Sequence, residues 1–229
     1  MLDTSPSVDF GTARVRKSDL MLEFAAVMAR IFTRHGNQIA AMTFSGAVDE
    51  ILPPRGGQRH ALRMVHQIVR PDRKFTPGAT NLATVLDRAA QTIKRRSLVF
   101  LVTDFVSAPG WEEAFGRLTR RHEVIAVWLR DPREEDLPDI GPVVLQDAET
   151  GEQVYVETQD RRFRDRFRSL VARRRENIER TFGRHGVDAL ELTTDGDLVR
   201  ALTRFSLLRR QTIRRQGSAL GRAVVGIAG

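Results

Sequence analysis

Residues 97–104 read Ser-Leu-Val-Phe-Leu-Val-Thr-Asp. A run this continuously apolar suits a strand whose two faces are both covered by helices, and Asp104 stands where the run stops. Working outward, EVIAVWL (123–129) and VDALEL (187–192) read as further buried strands, and QIAAMTF (38–44) as another, ended by Ser45 and Gly46. AVDEILPP (47–54) has the composition of an edge strand, which Pro53 and Pro54 are expected to stop. Amphipathic stretches separate the strands. In 19–35, Leu22, Ala25, Ala26, Ala29 and Phe32 recur at helical spacing, with Ser18 placed to cap the start and Gly36 the end. Helices are also expected over 57–70, from Thr80 to about Lys94, and over 110–121, 160–184 and 195–209. In the second of these Leu82, Val85, Leu86, Ala89 and Ile93 share one face. Strands alternating with helices make βαβ units, so the expected fold is α/β, a doubly wound and mostly parallel sheet flanked by helices.

The rhythm breaks between Asp131 and Tyr155. Two short apolar runs flank Glu149-Thr150-Gly151-Glu152, which reads as an inserted β-hairpin at about 140–157. Residues 1–209 are then one domain, and 210–229 a basic, Gly/Ala-ending tail without periodicity. The chain has 229 residues, 41% of them hydrophobic, which is enough to build a core. With no cysteine, disulfides and thiolate metal sites are excluded. No apolar run approaches a membrane span and no basic-then-apolar leader is readable, so a cytoplasmic protein is expected, associated with membranes through partners if at all. The net charge of +8 is unevenly spread: arginines crowd 161–180 and 209–215, while 131–160 is acidic. Such patches suit distinct contact surfaces.

Arg-His recurs at three helix ends, Arg34-His35, Arg121-His122 and Arg184-His185. Cations at the negative end of the helix dipole, with Gly36 and Gly186 to turn the chain, explain the pattern better than a histidine cluster does. Oxygen-bearing residues carry more chemistry. Asp3, Ser5 and Ser7 form D-x-S-x-S, and in an extended loop alternate side chains point one way. Thr80 opens a helix and Asp104 ends a buried strand, both at the edge where α/β sheets hold ligands. Together Asp3, Ser5, Ser7, Thr80 and Asp104 offer hard oxygens suited to magnesium or manganese, with coordination positions left for water or a partner's carboxylate. Singly each residue also reads as an ordinary turn, cap or loop starter. Pro6, Gly78, Ala79, Asn81 and Phe105 are the neighbours a partner would meet.

In this order the motif resembles the metal-ion-dependent adhesion site of von Willebrand factor A-like domains. More narrowly, LDTSPSV (2–8), LPPRGG (52–57), GATNLATVL (78–86), SLVFLVTDF (97–105), DPREEDLP (131–138), DAETGE (147–152) and LTTDGDLVRALTRF (192–205) resemble the bacterial domain-of-unknown-function family fifty-eight. Members of that family are typically encoded beside MoxR-type AAA ATPases. The resemblance implies a von Willebrand factor A-like or Rossmann-like fold, a magnesium or manganese ion on the five oxygen residues, and a MoxR-type ATPase as partner. It also implies an apolar strand leading into the Asp3 loop. Only Met1 and Leu2 precede Asp3, so an apolar stretch is expected upstream in the gene.

The function these features favour is metal-dependent protein binding rather than catalysis. A magnesium-dependent phosphoryl hydrolase is the enzymatic alternative; no histidine or lysine is readable beside the Asp3 loop as a general base, and no P-loop is present. Nucleic-acid binding through the basic helix 160–184 is the third reading. Phe163, Phe167, Leu170, Val171 and Ile178 share one face of that helix and are expected in the core rather than stacked on bases.

Overall fold

A computed structural model describes residues 1–11, 14–69, 80–146 and 151–210. Six strands form one sheet: β1 (Leu2–Asp3), β2 (Ile39–Phe44), β3 (Val48–Arg55), β4 (Leu98–Thr103), β5 (Glu123–Arg130) and β8 (Asp188–Thr193). Their order is β3-β2-β1-β4-β5-β8, parallel throughout except for β3, which runs antiparallel to β2. β6 (Pro142–Gln146) and β7 (Gln153–Glu157) pair only with each other, as a separate antiparallel hairpin.

Both faces of the sheet are covered along β4 and β5, which is why these strands carry no polar alternation. On one face Val102, Ile125, Val127 and Leu129 pack with Leu20, Phe24 and Ala25 of α1 (Lys17–Arg34) and Ala61 and Met64 of α2 (Gln58–Ile68). On the other, Val99, Leu101, Val124, Ala126 and Trp128 meet α3 (Leu82–Thr92), α4 (Trp111–Arg121) and the end of α5 (Arg161–His185). Residues 198–210 form a further helix, whose Leu198 belongs to the first core. Among the described residues no helix is long and apolar enough to cross a membrane.

Several boundaries differ from expectation for local reasons. β3 is not stopped by its prolines: it continues to Arg55, because an edge strand has one side without ladder bonds and the register slips between the Ile39 and Ala41 pairings, opposite Pro53 and Pro54. Asn81, not Thr80, caps α3, its side-chain oxygen accepting from the Thr84 amide at 3.1 Å. Helix α1 starts before Ser18; Asp19 reaches back to the Arg16 amide at 3.0 Å, and Ser18 instead donates to Asp9. The three Arg-His sites lie at helix ends and form no cluster: His35 and His122 follow α1 and α4, and His185 ends α5 before Gly186 at φ 62°. Leu2 and Asp3 pair with Thr43 and Phe44 on one side, and Leu2 with Val102 on the other. From residue 211 on, the basic tail lies outside the described residues, as do Gly78 and Ala79.

The fully buried apolar residues of α5 lie at its end. Ile178, Thr181 and Phe182 are buried, and the Phe182 ring meets Phe105, Phe115 and Trp128. Toward its start, Phe163, Phe167 and Val171 are half-buried and Leu170 is 58% exposed, so the expected core face holds only over the last turns. Arg164, Arg168, Arg175 and Arg180 are engaged with carboxylates. Phe182→Ala is accordingly expected to cost about 3–5 kcal/mol of stability, as large-to-small changes at buried aromatics do. Leu170→Ala should change it by less than about 0.5 kcal/mol. Urea unfolding of the two variants, compared at equal m-values, checks the contrast.

Candidate functional site

Strand order reverses beside β1: the chain moves from β1 to β2 and β3 on one side and later fills β4, β5 and β8 on the other. Loops leaving the carboxyl ends of β1 and β4 therefore diverge to opposite faces and leave a crevice between them. Asp3 ends β1 and Asp104 follows β4, so the fold puts both carboxylates at that crevice. Both are buried, at 0% and 4% exposure.

The loop after Asp3 turns rather than extends. Val8 and Asp9 amides donate to the Ser5 and Pro6 carbonyls, and the curvature brings the motif's oxygens together. Asp3 Oδ1 accepts from the Ser5 amide at 3.0 Å and from Ser5 Oγ at 2.6 Å, and Ser5 Oγ lies 3.0 Å from Ser7 Oγ. Asp3 Oδ2 accepts from Thr103 Oγ1 at 2.5 Å. Asp104 Oδ1 accepts from the Val106 amide at 2.9 Å. Thr80 is buried close by: its carbonyl accepts from Ser107 Oγ at 2.9 Å and from the Ala108 amide at 3.2 Å, tying the entry to α3 to the loop beyond Asp104. All five residues expected to hold a cation thus lie on the loops around one crevice, though closed in rather than at an open edge.

Of the residues expected to meet a partner, Pro6 is half-buried on the turn and Asn81 is exposed but occupied as a helix cap. Phe105 does not face outward. It is 2% exposed, with its ring against Trp111, Trp128 and Phe182, and it holds φ at 57°, a left-handed conformation that a bulky side chain adopts only when its surroundings enforce it. That kink aims the chain so that the Phe105 and Val106 amides close onto Thr103 Oγ1 and Asp104 Oδ1.

A lysine stands beside the site after all. Lys17, the first residue of α1, is fully buried, with Nζ 2.8 Å from Asp104 Oδ2 and 2.7 Å from Glu134 Oε1. Burial works against its charge, but Asp104 and then Glu134 outweigh it and hold its pKa above the ordinary lysine value. It is an ammonium, not a base. Glu134 comes from the short 3-10 turn Pro132–Glu134 after β5, where buried Asp131 accepts from the Arg133 amide and from Thr194 Oγ1 at 2.7 Å. Lys17, Thr103 and Glu134 escaped the sequence reading. The one local signal was a cation in the first turn of a helix, where the dipole prefers an anion.

Burial, and next the charge of Asp104, push the Asp3 carboxyl up to about 7, against hydrogen bonds from Ser5 and Thr103 that lower it. Asp104 and Glu134 thus share the Lys17 ammonium, and the charge of Asp104 bears on Asp3. Hard carboxylate and hydroxyl oxygens of this kind suit a divalent cation of the magnesium type. Among the described residues no three His, Cys, Asp or Glu side chains form a ligand group, so such an ion would depend on two carboxylates supplemented by Ser5, Ser7 and Thr80 hydroxyls.

The raised Asp3 value fixes the sign of a pH effect. Between the unfolded value of 3.8 and the folded value of about 7 the folded chain holds the extra proton. Stability without divalent cations is therefore expected to fall as pH rises through that window and to level off above it. Carbon-13 NMR titration of the Asp3 carboxyl should show a midpoint near 7, and Asp3→Asn should flatten the stability profile; a midpoint near 4 contradicts this electrostatic account.

Compared with known proteins, residues 1–177 match the family described as "Protein of unknown function DUF58". An uncharacterized protein of Mycobacterium tuberculosis is 34% identical over 211 residues, covering 92% of this chain and 66% of that protein, so this chain spans less than two thirds of its relative's length. Another, from Mycobacterium avium, is 36% identical over 161 residues, 70% of this chain and 94% of that protein. Two solved structures share the fold at low identity. The conserved hypothetical protein BatB from Bacteroides thetaiotaomicron superposes with a TM-score of 0.56 at 14% identity, over 92% of this chain and 96% of its own. An aerotolerance-related membrane protein from Bacteroides fragilis gives 0.58 at 13%, over 91% and 94%. With a family match over most of its length and mycobacterial relatives above 30% identity, the chain belongs to the DUF58 family.

Proposed function

We propose that this chain is a von Willebrand factor A-like module that binds a protein partner in a divalent-cation-dependent way. The observation that carries the reading is the buried pair Asp3 and Asp104 at the topological switch point, with the hydroxyls of Ser5, Ser7 and Thr103 around Asp3. Asp3, Ser5, Ser7, Thr80 and Asp104 are the residues that would hold magnesium or manganese. Bound there, the ion supplies a Lewis-acidic position that a partner's Asp or Glu can complete, since two carboxylates leave it near neutrality. Ser5, Ser7 and Thr103 orient Asp3, and the Val106 amide fixes Asp104. Because all five residues are buried, access requires the Ser5–Asp9 turn to move, and Pro6 on that turn is where a partner first makes contact.

The partner we assign by family resemblance is a MoxR-type AAA ATPase, met on the cytoplasmic side. A phosphoryl hydrolase reading finds a lysine near Asp104, but one whose proton is held by two carboxylates and is not available as a base. Against nucleic-acid binding through α5 stands the engagement of Arg164, Arg168, Arg175 and Arg180 with Asp and Glu side chains.

Calorimetry with magnesium and manganese chloride is expected to show one site, lost in Asp3→Ala and weakened by about tenfold in Thr80→Val, which keeps the shape and removes a ligand oxygen. The same ion should abolish the pH dependence traced to Asp3. Binding to the purified ATPase should disappear in EDTA and return with magnesium. Equal binding in EDTA, together with unchanged metal titrations in Asp3→Ala, refutes the proposal; turnover of a generic phosphate ester would favour the enzymatic alternative.

A further inference from the structure

We propose that Lys17 is the resident counter-cation of this site, an ammonium that holds Asp104 until a divalent cation takes that carboxylate and leaves Lys17 on Glu134 alone. This rests on the cation-binding reading above. Asp104 Oδ1 accepts from the Val106 amide, and Lys17 Nζ lies 2.8 Å from Oδ2, so the ammonium occupies the carboxylate oxygen that the backbone leaves open. A divalent ion and an ammonium on one carboxylate oxygen would repel strongly in an interior screened by little water. The lysine has somewhere to go. Its second partner, Glu134, is the outermost member of the cluster, with a side chain 35% exposed, whereas those of Lys17 and Asp104 are 0% and 2% exposed.

In the exchange the Lys17 side chain shifts from Asp104 to Glu134, while the start of α1 stays with the cation loop, to which it is tied by its backbone. The Lys17 amide donates to the Phe10 carbonyl at 2.9 Å and the Ser18 amide to the Val8 carbonyl at 2.9 Å. Lys17 therefore does two things. It keeps two buried carboxylates from facing each other without compensation when no ion is bound, and it sets the affinity by competing for Asp104. A purely structural lysine would do only the first.

The test uses the whole chain and manganese chloride, read by calorimetry and by thermal unfolding with and without the ion. Lys17→Met is expected to melt lower than the parent without manganese, to bind manganese about tenfold or more tightly, and to gain more stability from it. Glu134→Gln leaves Asp104 as the only carboxylate on Lys17 and should bind manganese about tenfold more weakly. In the parent protein, magnesium should shift the nitrogen-15 resonance of the Lys17 ammonium. Lys17→Met binding with parental affinity, or more weakly, overturns the proposal while leaving the cation site intact. Should Lys17→Met not fold, unchanged affinity in Glu134→Gln with an unmoved Lys17 resonance overturns it equally. No manganese binding by any of these proteins overturns both this inference and the reading on which it rests.

Discussion

Two carboxylates buried at the ends of adjacent parallel strands organise this edge of the molecule. Asp3 and Asp104 are put there by topology, and like charges in a dry crevice are costly unless something compensates them. The surroundings answer that cost in separate ways. Asp3 is neutralised in part by holding its proton and in part by hydroxyl donors; Asp104 is compensated by a lysine brought from the first turn of a helix. Each answer recruits a different piece of chain: the turn after β1, the last residue of β4, the start of α1 and the turn after β5.

That recruitment explains local features which otherwise look arbitrary. α1 begins with a lysine, against the preference of its dipole, because the side chain is needed at Asp104. Phe105 holds a left-handed backbone, and its strain is sustained by rings from α4, β5 and α5 packing on it. The second core, built from those same elements, therefore supports the geometry of the residue immediately before it. In this way packing on one face of the sheet governs the chemistry at its edge.

Much of this arrangement was legible in the residues. Continuous apolar runs at 98–103 and 124–129 announced strands covered on both sides, and helical spacing placed the buried face of α3 correctly. The oxygen-bearing residues Asp3, Ser5, Ser7, Thr80 and Asp104 could be grouped because the carboxyl ends of parallel strands share one edge. What failed was whatever depends on the third dimension or on competition between neighbours. Pro53 and Pro54 looked like a stop because the slip in register that admits them is a property of the pair of strands, not of either one. Ser18 and Thr80 looked like caps, yet Asp19 and Asn81 make the capping contacts. Phe105 seemed placed to meet a partner, and the conformation that turns it inward has no signature in residue type.

Lys17 shows the limit most clearly. In the sequence it is one cation in a +8 chain, fourteen positions beyond Asp3 and far from both of its partners, Asp104 and Glu134. Its burial follows from the path of the turn at Ser5–Asp9, which reverses the chain and delivers the start of α1 back over the crevice. A lysine is suited to that position in a way an arginine is not. Its compact ammonium on a flexible stem can be shared between two carboxylates and redistributed between them, whereas a planar guanidinium tends to lock onto one in a fixed bidentate geometry. A chain carrying 36 other lysines and arginines, nearly all of them arginine, and placing one of its few lysines here, has at this position the residue best able to yield its partner to another cation.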